Sequence, residues 1–408
     1  MTAPVLLAYI GLAVLIQLAV GVGVTVWRRS QVAAEVPSTS NFERPDEPAS
    51  AWSGWRDFRV THREFADGAH TQCSFYLEPV DGVAVPSFKP GQYLTFSMPL
   101  YADRPTIRCY SLSDQPGSSG YRITVKRIAR AADKPELPAG ACSNHFHDRV
   151  HAGDILKVRA PSGKFCIDPD PNLPAVLVAG GVGITPLMSM LLWCLAEQPS
   201  RTVHLFYGVR CGDEHAFKNQ LEALARTHPC FRLHVTYSRP GEGDVCGRDY
   251  HHAGHVDLTL LRNSLPHGRH QFYVCGPPSM MQNLVPALRE WGVPESDIHF
   301  EAFGPASVGA AGPATIEPLP ALDGALDIRF QRSGRTLVWD GRDANLLDFA
   351  ERQHVAVESG CRSGSCGTCE TKLLSGAVTY AERPDYEIAA SHCLLCVGRP
   401  QSPLVLEA

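Results

Sequence analysis

The sequence predicts a multi-domain chain: an N-terminal transmembrane helix, a mostly antiparallel β unit, an α/β doubly wound unit and a small C-terminal unit organised by cysteines. Three observations predict it. Pro4–Trp27, PVLLAYIGLAVLIQLAVGVGVTVW, runs for 24 residues without a charge. From Trp52 short apolar alternations prevail, and near Leu173 they give way to buried-strand runs that alternate with helix-compatible segments. Near the end, ESGCRSGSCGTCETKL packs three cysteines into nine residues.

The 24-residue run is long enough for a membrane span, because each helical residue rises about 1.5 Å and the hydrocarbon core is about 30 Å thick. A cleaved signal peptide is the alternative. Against it, no Lys or Arg precedes the run, which also exceeds the core of about 7–15 residues usual in signals. Arg28 and Arg29 follow at once, so the positive-inside rule expects a single-pass cell-membrane protein with its bulk in the cytoplasm. The span has no His, the usual haem ligand. These readings divide the chain into an anchor (1–29), a polar Pro- and Ser-bearing tether (30–51), the antiparallel unit (52–170), the doubly wound unit (171–303), a Gly/Pro/Ala linker (304–324) and the cysteine unit (325–408).

Composition removes other classes. With 408 residues the chain can build several cores, and a net charge of −5 gives no reason to expect a nucleic-acid partner. Of 14 cysteines, Cys73, Cys109, Cys142, Cys166, Cys194, Cys211, Cys230, Cys246 and Cys275 are scattered singly. They read as small buried hydrophobes in a reducing compartment, since disulfide frameworks belong to small secreted domains with thin cores.

The antiparallel unit rests on SFYLEPV, GQYLTFSM, YRITVKRI and DILKVRA, whose alternation suits half-buried strands. The doubly wound unit rests on AVLVAG, TVHLFYG, RLHVTYS and QFYVCG, followed by segments such as TPLMSMLLWCLAEQ. In VLVAGGVGITPLMSML, Gly180, Gly181 and Gly183 end a strand, and Thr185 and Pro186 open a helix. Glycines there let a backbone approach a pyrophosphate, and the helix start offers N–H groups. Tight turns need glycine as well, so this turn is a weak signal by itself. Cys275, Gly276 and Pro277 end a later parallel strand, where such sheets bind ligands, although a buried packing role suits Cys275 equally. Upstream, RCYSLSDQPG places Arg108 and Tyr110 on one strand face, with Ser111 beside them. An arginine there can hold a phosphate and a tyrosine can lie on a flat ring. TVKRI adds Lys126 and Arg127, and GACSNHFHD adds Ser143 and Asn144 at a helix start.

Taken in order, Arg-x-Tyr-Ser, the Lys-Arg strand, Gly-x-x-Ser-Asn, Gly-Gly-Val-Gly-Ile-Thr-Pro and Cys-Gly-Pro resemble the ferredoxin–NADP reductase superfamily. The resemblance spans roughly Trp52 to Pro305. APSGKF, CGPPSMM and FEAFGP are similar to the reductase half of flavohaemoglobins, without a preceding globin domain here. It implies an antiparallel β-barrel that binds flavin, followed by a nicotinamide-nucleotide domain. In that scheme Tyr110 stacks on the isoalloxazine, Ser111 lies near its N5, and Arg108 and Ser143 meet the flavin phosphates. Lys126 and Arg127 lie along the cofactor. Gly180 to Pro186 take the dinucleotide pyrophosphate and Cys275 lies near the nicotinamide. Glu301 and Phe303 return to the flavin, with Glu301 protonating or tuning it. FAD is the expected flavin and FMN the alternative. Ser238 and Arg239, in YSRP, stand where a 2′-phosphate would be met, and both NADH and NADPH stay open.

Cys361, Cys366 and Cys369 have the C-x4-C-x2-C spacing of plant-type [2Fe–2S] centres, which need a fourth, distant thiolate. HCLLCVGRP offers Cys396, with Cys393 in reserve. Zinc on two C-x2-C pairs is the competing assignment, but it leaves Cys361 unexplained. The segment from Leu326 to Cys361 resembles the opening hairpin and helix of the ferredoxin β-grasp fold. HHAGH, His251 to His255, reads as a loop rather than a metal site. The unit from Ala325 carries eleven acids against nine bases, so long-range steering toward a basic partner is weak.

The chain therefore resembles a membrane-anchored NAD(P)H:acceptor oxidoreductase in which electrons pass from NAD(P)H through FAD to a [2Fe–2S] cluster. From there they reach a redox protein at the cytoplasmic membrane face, such as an oxygenase, a hydroxylase or a haem protein. An electron-input subunit of a larger membrane complex and a redox sensor are the rival classes.

Overall fold

In the computed structural model, the described residues are 52, 54–100, 105–129, 139–303, 325–360, 362, 364, 367–381, 384, 386 and 388–408. All fall within one unit, Ala51–Ala408. The apolar run Pro4–Trp27, the tether, the linker 304–324, Cys361 and Cys366 lie outside them. Among the described residues no helix is long and apolar enough to cross a membrane.

Alternation of apolar and polar residues builds the first part. Strands β1 (Arg56–Phe65), β2 (Gln72–Pro79), β3 (Tyr93–Met98), β4 (Thr106–Ser111), β5 (Tyr121–Lys126) and β6 (Ile155–Ser162) form a sheet in the order β4-β3-β6-β1-β2-β5. Every adjacent pair is antiparallel. The two edges meet through a Leu112↔Ile123 bridge and a Ser113 N–H to Arg122 carbonyl bond of 2.8 Å, so the sheet curls on itself as a barrel. Phe58, Val60, Phe75, Phe96 and Val158 fill it at 0% exposure. Phe146 of helix α1 (Ala141–Arg149) closes one end, edge-on to Phe75 and Phe96.

The apolar runs of the second part are buried on both faces, as a parallel sheet covered by helices requires. Strands β7 (Ala175–Gly180), β8 (Val203–Val209), β9 (Phe231–Tyr237), β10 (His252–Ala253), β11 (Gln271–Gly276) and β12 (Ile298–Ala302) stand in the order β10-β9-β8-β7-β11-β12, all parallel. Helices α2 (Ile184–Glu197), α3 (Lys218–Thr227), α4 (Leu258–Ser264) and α5 (Pro278–Glu290) accompany it. The chain leaves β7 toward β8 on one side and returns with β11 on the other. The switch point, and hence the ligand crevice, lies at the C-terminal ends of β7 and β11.

Backbone hydrogen bonds join this sheet to the barrel. Ala69 N–H donates to the Asp213 carbonyl at 2.7 Å and Phe217 N–H to the Ala66 carbonyl at 2.9 Å. Phe217 holds a left-handed φ of 58°, costly for a bulky residue, with the Arg122 guanidinium 5.2 Å above its ring.

His215, 2% exposed, sits near this junction with Nδ1 2.9 Å from the Tyr237 hydroxyl. Burial, aided by Lys218, pushes its imidazole down to about 3. The unfolded chain therefore binds this proton more readily, near pH 6.5, and its contribution is complete above about 6.5 and lost as pH falls toward 3. We expect the stability lost between pH 7 and pH 5 to be smaller by about 2 kcal/mol in His215→Gln, measured by denaturant unfolding at both values.

The third part pairs strands β13 (Leu326–Phe330), β14 (Arg335–Trp339), β15 (Glu370–Ser375), β17 (His392–Leu394) and β19 (Leu404–Leu406) in the order β14-β13-β19-β15-β17, while β16 (Val378–Tyr380) and β18 (Gly398–Pro400) form a ribbon. Only β13 and β19 run parallel within the five-stranded sheet. Helix α6 (Leu346–Arg352) buries Leu346, Leu347 and Phe349 against it, capped by the Asn345 side chain on Asp348 N–H at 2.9 Å.

Candidate functional site

The crevice forms because glycine permits two strand ends to touch. A Cβ on Gly180 would lie 2.5 Å from Pro277 Cδ, and one on Gly276 would lie 2.2 Å from Met280 Cε. One on Gly183 would meet the Cys275 carbonyl oxygen at 2.1 Å. Gly181 differs: its φ is +53°, and a Cβ there would meet only Lys126 Nζ at 3.9 Å, so it borders open space beneath an ammonium. Gly181–Gly183 make one 3-10 turn before α2, and Thr185 returns its hydroxyl to the Val182 carbonyl at 3.0 Å. Pro186 stands in the first turn of α2, where its missing N–H costs nothing. A backbone cradle bare of side chains, with a cation at its mouth, fits a pyrophosphate.

Lys126 reaches this cradle from the end of β5 and pairs with Glu214 Oε2 at 3.1 Å. The barrel and the crevice thus share one charged contact, which sequence reasoning missed because Glu214 lies 88 residues away from Lys126. Arg127 goes elsewhere, to Asp148 of α1 at 2.5 Å. Sequence neighbours on a strand face opposite ways, so the pair does not act together.

Tyr110 is half-buried, edge-on to Phe96 at 5.8 Å and to Phe146 at 5.0 Å, and burial raises its hydroxyl pKa, keeping it protonated. Arg108, two residues earlier, is exposed. Ser111 is 5% exposed at the end of β4. The Arg108 guanidinium donates to the Ile107 carbonyl at 2.7 Å, and an aromatic face with an adjacent guanidinium fits a flavin ring and its phosphate. Ser143 is turned inward. Its hydroxyl donates to the Gly140 carbonyl at 3.0 Å and accepts from Ile128 N–H at 3.2 Å, so it shapes the start of α1.

Cys275 has 0% exposure and packs in the core beneath α2. Burial, then the charge of Glu301, pushes its thiol well up. Glu301 is its register partner on β12, half-buried, and Phe303 follows at 37% exposure. Ser238 and Arg239 follow β9, the latter exposed, their N–H groups bonded to the Val209 and Arg210 carbonyls at 3.0 and 2.8 Å. They stand apart from the Gly180–Pro186 turn, two strands across the sheet.

In the third part, Cys369 and Cys396 are each 4% exposed and adjacent: Cys396 N–H donates to Cys369 Sγ at 3.4 Å. Gly364 and Gly367 have φ of +76° and +69°, and a Cβ on Gly364 would sit 3.1 Å from Val397 Cγ2. Gly364 and Cys369 therefore both lie close to the Cys396–Val397 segment. Arg362 holds the loop on α6 through Asp348 at 3.3 Å and Glu351. Cys393 occupies strand β17 opposite Thr371. Backbone N–H directed at sulfur and glycine at positive φ fit a thiolate-bound cluster. Among the described residues no group of three or more metal-binding side chains assembles, Cys361 and Cys366 being outside them.

Comparison with known proteins agrees with this geometry. Residues 73–167 match the oxidoreductase FAD-binding domain, residues 177–285 the oxidoreductase NAD-binding domain, and residues 328–401 the 2Fe-2S iron-sulfur cluster binding domain. These define an NAD(P)H oxidoreductase of the ferredoxin-reductase type, with FAD and a [2Fe–2S] cluster as cofactors. The flavohemoprotein of Rhizobium meliloti (strain 1021) is 40% identical over 265 residues, 65% of this chain and 64% of its own. That of Halalkalibacterium halodurans is 37% identical over 289 residues, 70% of this chain and 69% of its own. The chain belongs to the family of these flavohemoproteins, and spans about two thirds of their length. Phthalate dioxygenase reductase, described as a modular structure for electron transfer from pyridine nucleotides to [2Fe-2S], is 26% identical with a TM-score of 0.52, covering 87% of this chain and 98% of its own.

Proposed function

We propose that this chain is a membrane-anchored reductase that takes electrons from NAD(P)H and delivers them, through FAD and its own [2Fe–2S] cluster, to a protein acceptor at the cytoplasmic membrane face. The observation that carries it is the Lys126–Glu214 ion pair, with the Lys126 ammonium 3.9 Å from where a Cβ on Gly181 would stand, which sets the end of the barrel at the mouth of the nucleotide crevice within a chain that also holds the cysteine unit. When bound, FAD accepts a hydride as an electron pair and passes electrons on singly, which the protein assists by binding and orientation.

The residues divide that work. Gly180, Gly181, Gly183 and the start of α2 hold the dinucleotide pyrophosphate, with Lys126 balancing its charge. Tyr110 and Arg108 hold the flavin, Ser111 and Glu301 lie toward its reactive edge, and Phe303 covers it. Cys275 shapes the nicotinamide site through its backbone and bulk, its thiol being buried. Cys361, Cys366, Cys369 and Cys396 ligate the irons. Ser238 and Arg239 meet the adenosine ribose, with NADH slightly favoured over NADPH. The uncharged Pro4–Trp27 run supports the anchor and, through Arg28 and Arg29, the cytoplasmic side. It equally suits an electron-input subunit of a larger membrane complex, for which co-purifying membrane partners are the mark.

The test is an anaerobic absorbance titration of residues 30–408 with NADH and then NADPH. Flavin bands that bleach together with a broad cluster absorbance are expected, and the nucleotide acting at lower concentration is the donor. Flavin without cluster absorbance, and zinc on metal analysis, would overturn the relay.

A further inference from the structure

The barrel and the nucleotide unit are joined by backbone hydrogen bonds, whereas a side-chain stack reaches from the barrel to the cysteine unit. Arg159 lies on β6, paired in register with Thr95 of β3. Its guanidinium is 4.7 Å from the Trp55 ring and 6.0 Å from the Tyr386 ring, so one planar cation contacts an aromatic ring from each unit. Tyr386 is wired into the cysteine loop. Its N–H donates to the Gly364 carbonyl at 3.1 Å, and a Cβ on Gly367 would lie 2.2 Å from its ring. Its hydroxyl donates to Glu370 Oε2 at 3.0 Å, and Ala389 N–H holds the other carboxylate oxygen at 2.8 Å.

We infer that Arg159 is a positioning residue that docks the cysteine unit on the barrel, fixing the cluster loop at the distance electron transfer requires. The inference rests on the proposed relay. Guanidinium is suited to the place because its flat face stacks on aromatics and sheds water more readily than an ammonium. Contacts of this kind are strong enough to hold a docked state and weak enough to open, since each shifts an equilibrium by roughly two- to thirty-fold.

The experiment compares the holoprotein with Arg159→Ala, Arg159→Lys and Trp55→Leu by small-angle X-ray scattering and by anaerobic stopped-flow mixing with NADH. Arg159→Ala is expected to expand the scattering envelope and to slow cluster bleaching at least about fivefold, with flavin bleaching unchanged. Arg159→Lys falls between, keeping charge without the flat face, and the Trp55→Leu change adds little on top of Arg159→Ala because both remove one stack. Wild-type scattering together with cluster bleaching within twofold of wild type in Arg159→Ala overturns the inference. If Arg159→Ala loses flavin, Trp55→Leu decides by the same two readouts. Should NADH leave the wild-type cluster oxidised, the relay itself fails, and the scattering comparison still decides the docking.

Discussion

Cys396→Ser is expected to remove at least nine-tenths of the cluster absorbance, while NADH still bleaches the flavin at a rate within about twofold of wild type. The asymmetry follows from where the two candidate thiols stand. Cys396 N–H points at Cys369 Sγ, the Leu395 N–H donates to the Cys369 carbonyl at 3.3 Å, and Val397 touches the Gly364 turn. The 395–397 segment thus stands beside Cys369 and Gly364. Cys393 lies inside β17, 1% exposed among Leu394, Leu395 and Phe349 in the core. Cys393→Ser is therefore expected to keep the cluster and to lower stability by about 1–3 kcal/mol, through a hydroxyl buried without a partner. Visible absorbance and iron content of the two purified variants decide it. Cluster loss in Cys393→Ser with retention in Cys396→Ser would exchange the ligands, and full zinc occupancy in both would replace the cluster.

The sequence carried the architecture of the described parts because each rests on local pattern. Alternation in YLTFSM and YRITVK marked the strands, although both are buried along almost their whole length rather than on one face, and unbroken runs such as AVLVAG marked strands covered on both faces. The glycine turn and the cysteine spacing were legible for a related reason: turns need particular residues at fixed offsets. What local pattern cannot show is where a side chain is satisfied. The resemblance puts Ser143 at the flavin phosphates, and pattern alone did not show that its hydroxyl bonds locally to the Gly140 carbonyl and Ile128 N–H. Lys126 and Arg127 read as lying along the flavin cofactor, and their side chains pair with Glu214 and Asp148 respectively. Arg159, Tyr386 and Glu214 gave no signal at all, because their roles arise from contacts between units distant in sequence.

Gly183→Ala is expected to show how far the nucleotide site depends on backbone contact. Its Cβ would meet the Cys275 carbonyl oxygen at 2.1 Å and Gly276 N at 2.9 Å, atoms of strand β11 that cannot swing aside. The start of α2 and the end of β11 must then separate by about 1 Å to reach ordinary contact, at a cost of about 1–3 kcal/mol of packing. That movement opens the switch point where the pyrophosphate binds. NADH-dependent flavin bleaching should fall at least tenfold, about 1.4 kcal/mol, mainly through weaker NADH binding. Flavin content should stay near wild type, since Tyr110 and Arg108 belong to the barrel. Gly181→Ala provides the contrast: its Cβ finds only Lys126 Nζ at 3.9 Å, so the penalty is the positive φ alone, about 1–2 kcal/mol. If both variants weaken NADH binding equally, backbone conformation governs the turn and its contact with β11 does not. If Gly183→Ala alone does so, the crevice is set by the seating of the turn on the end of β11, and Gly183 serves approach rather than flexibility.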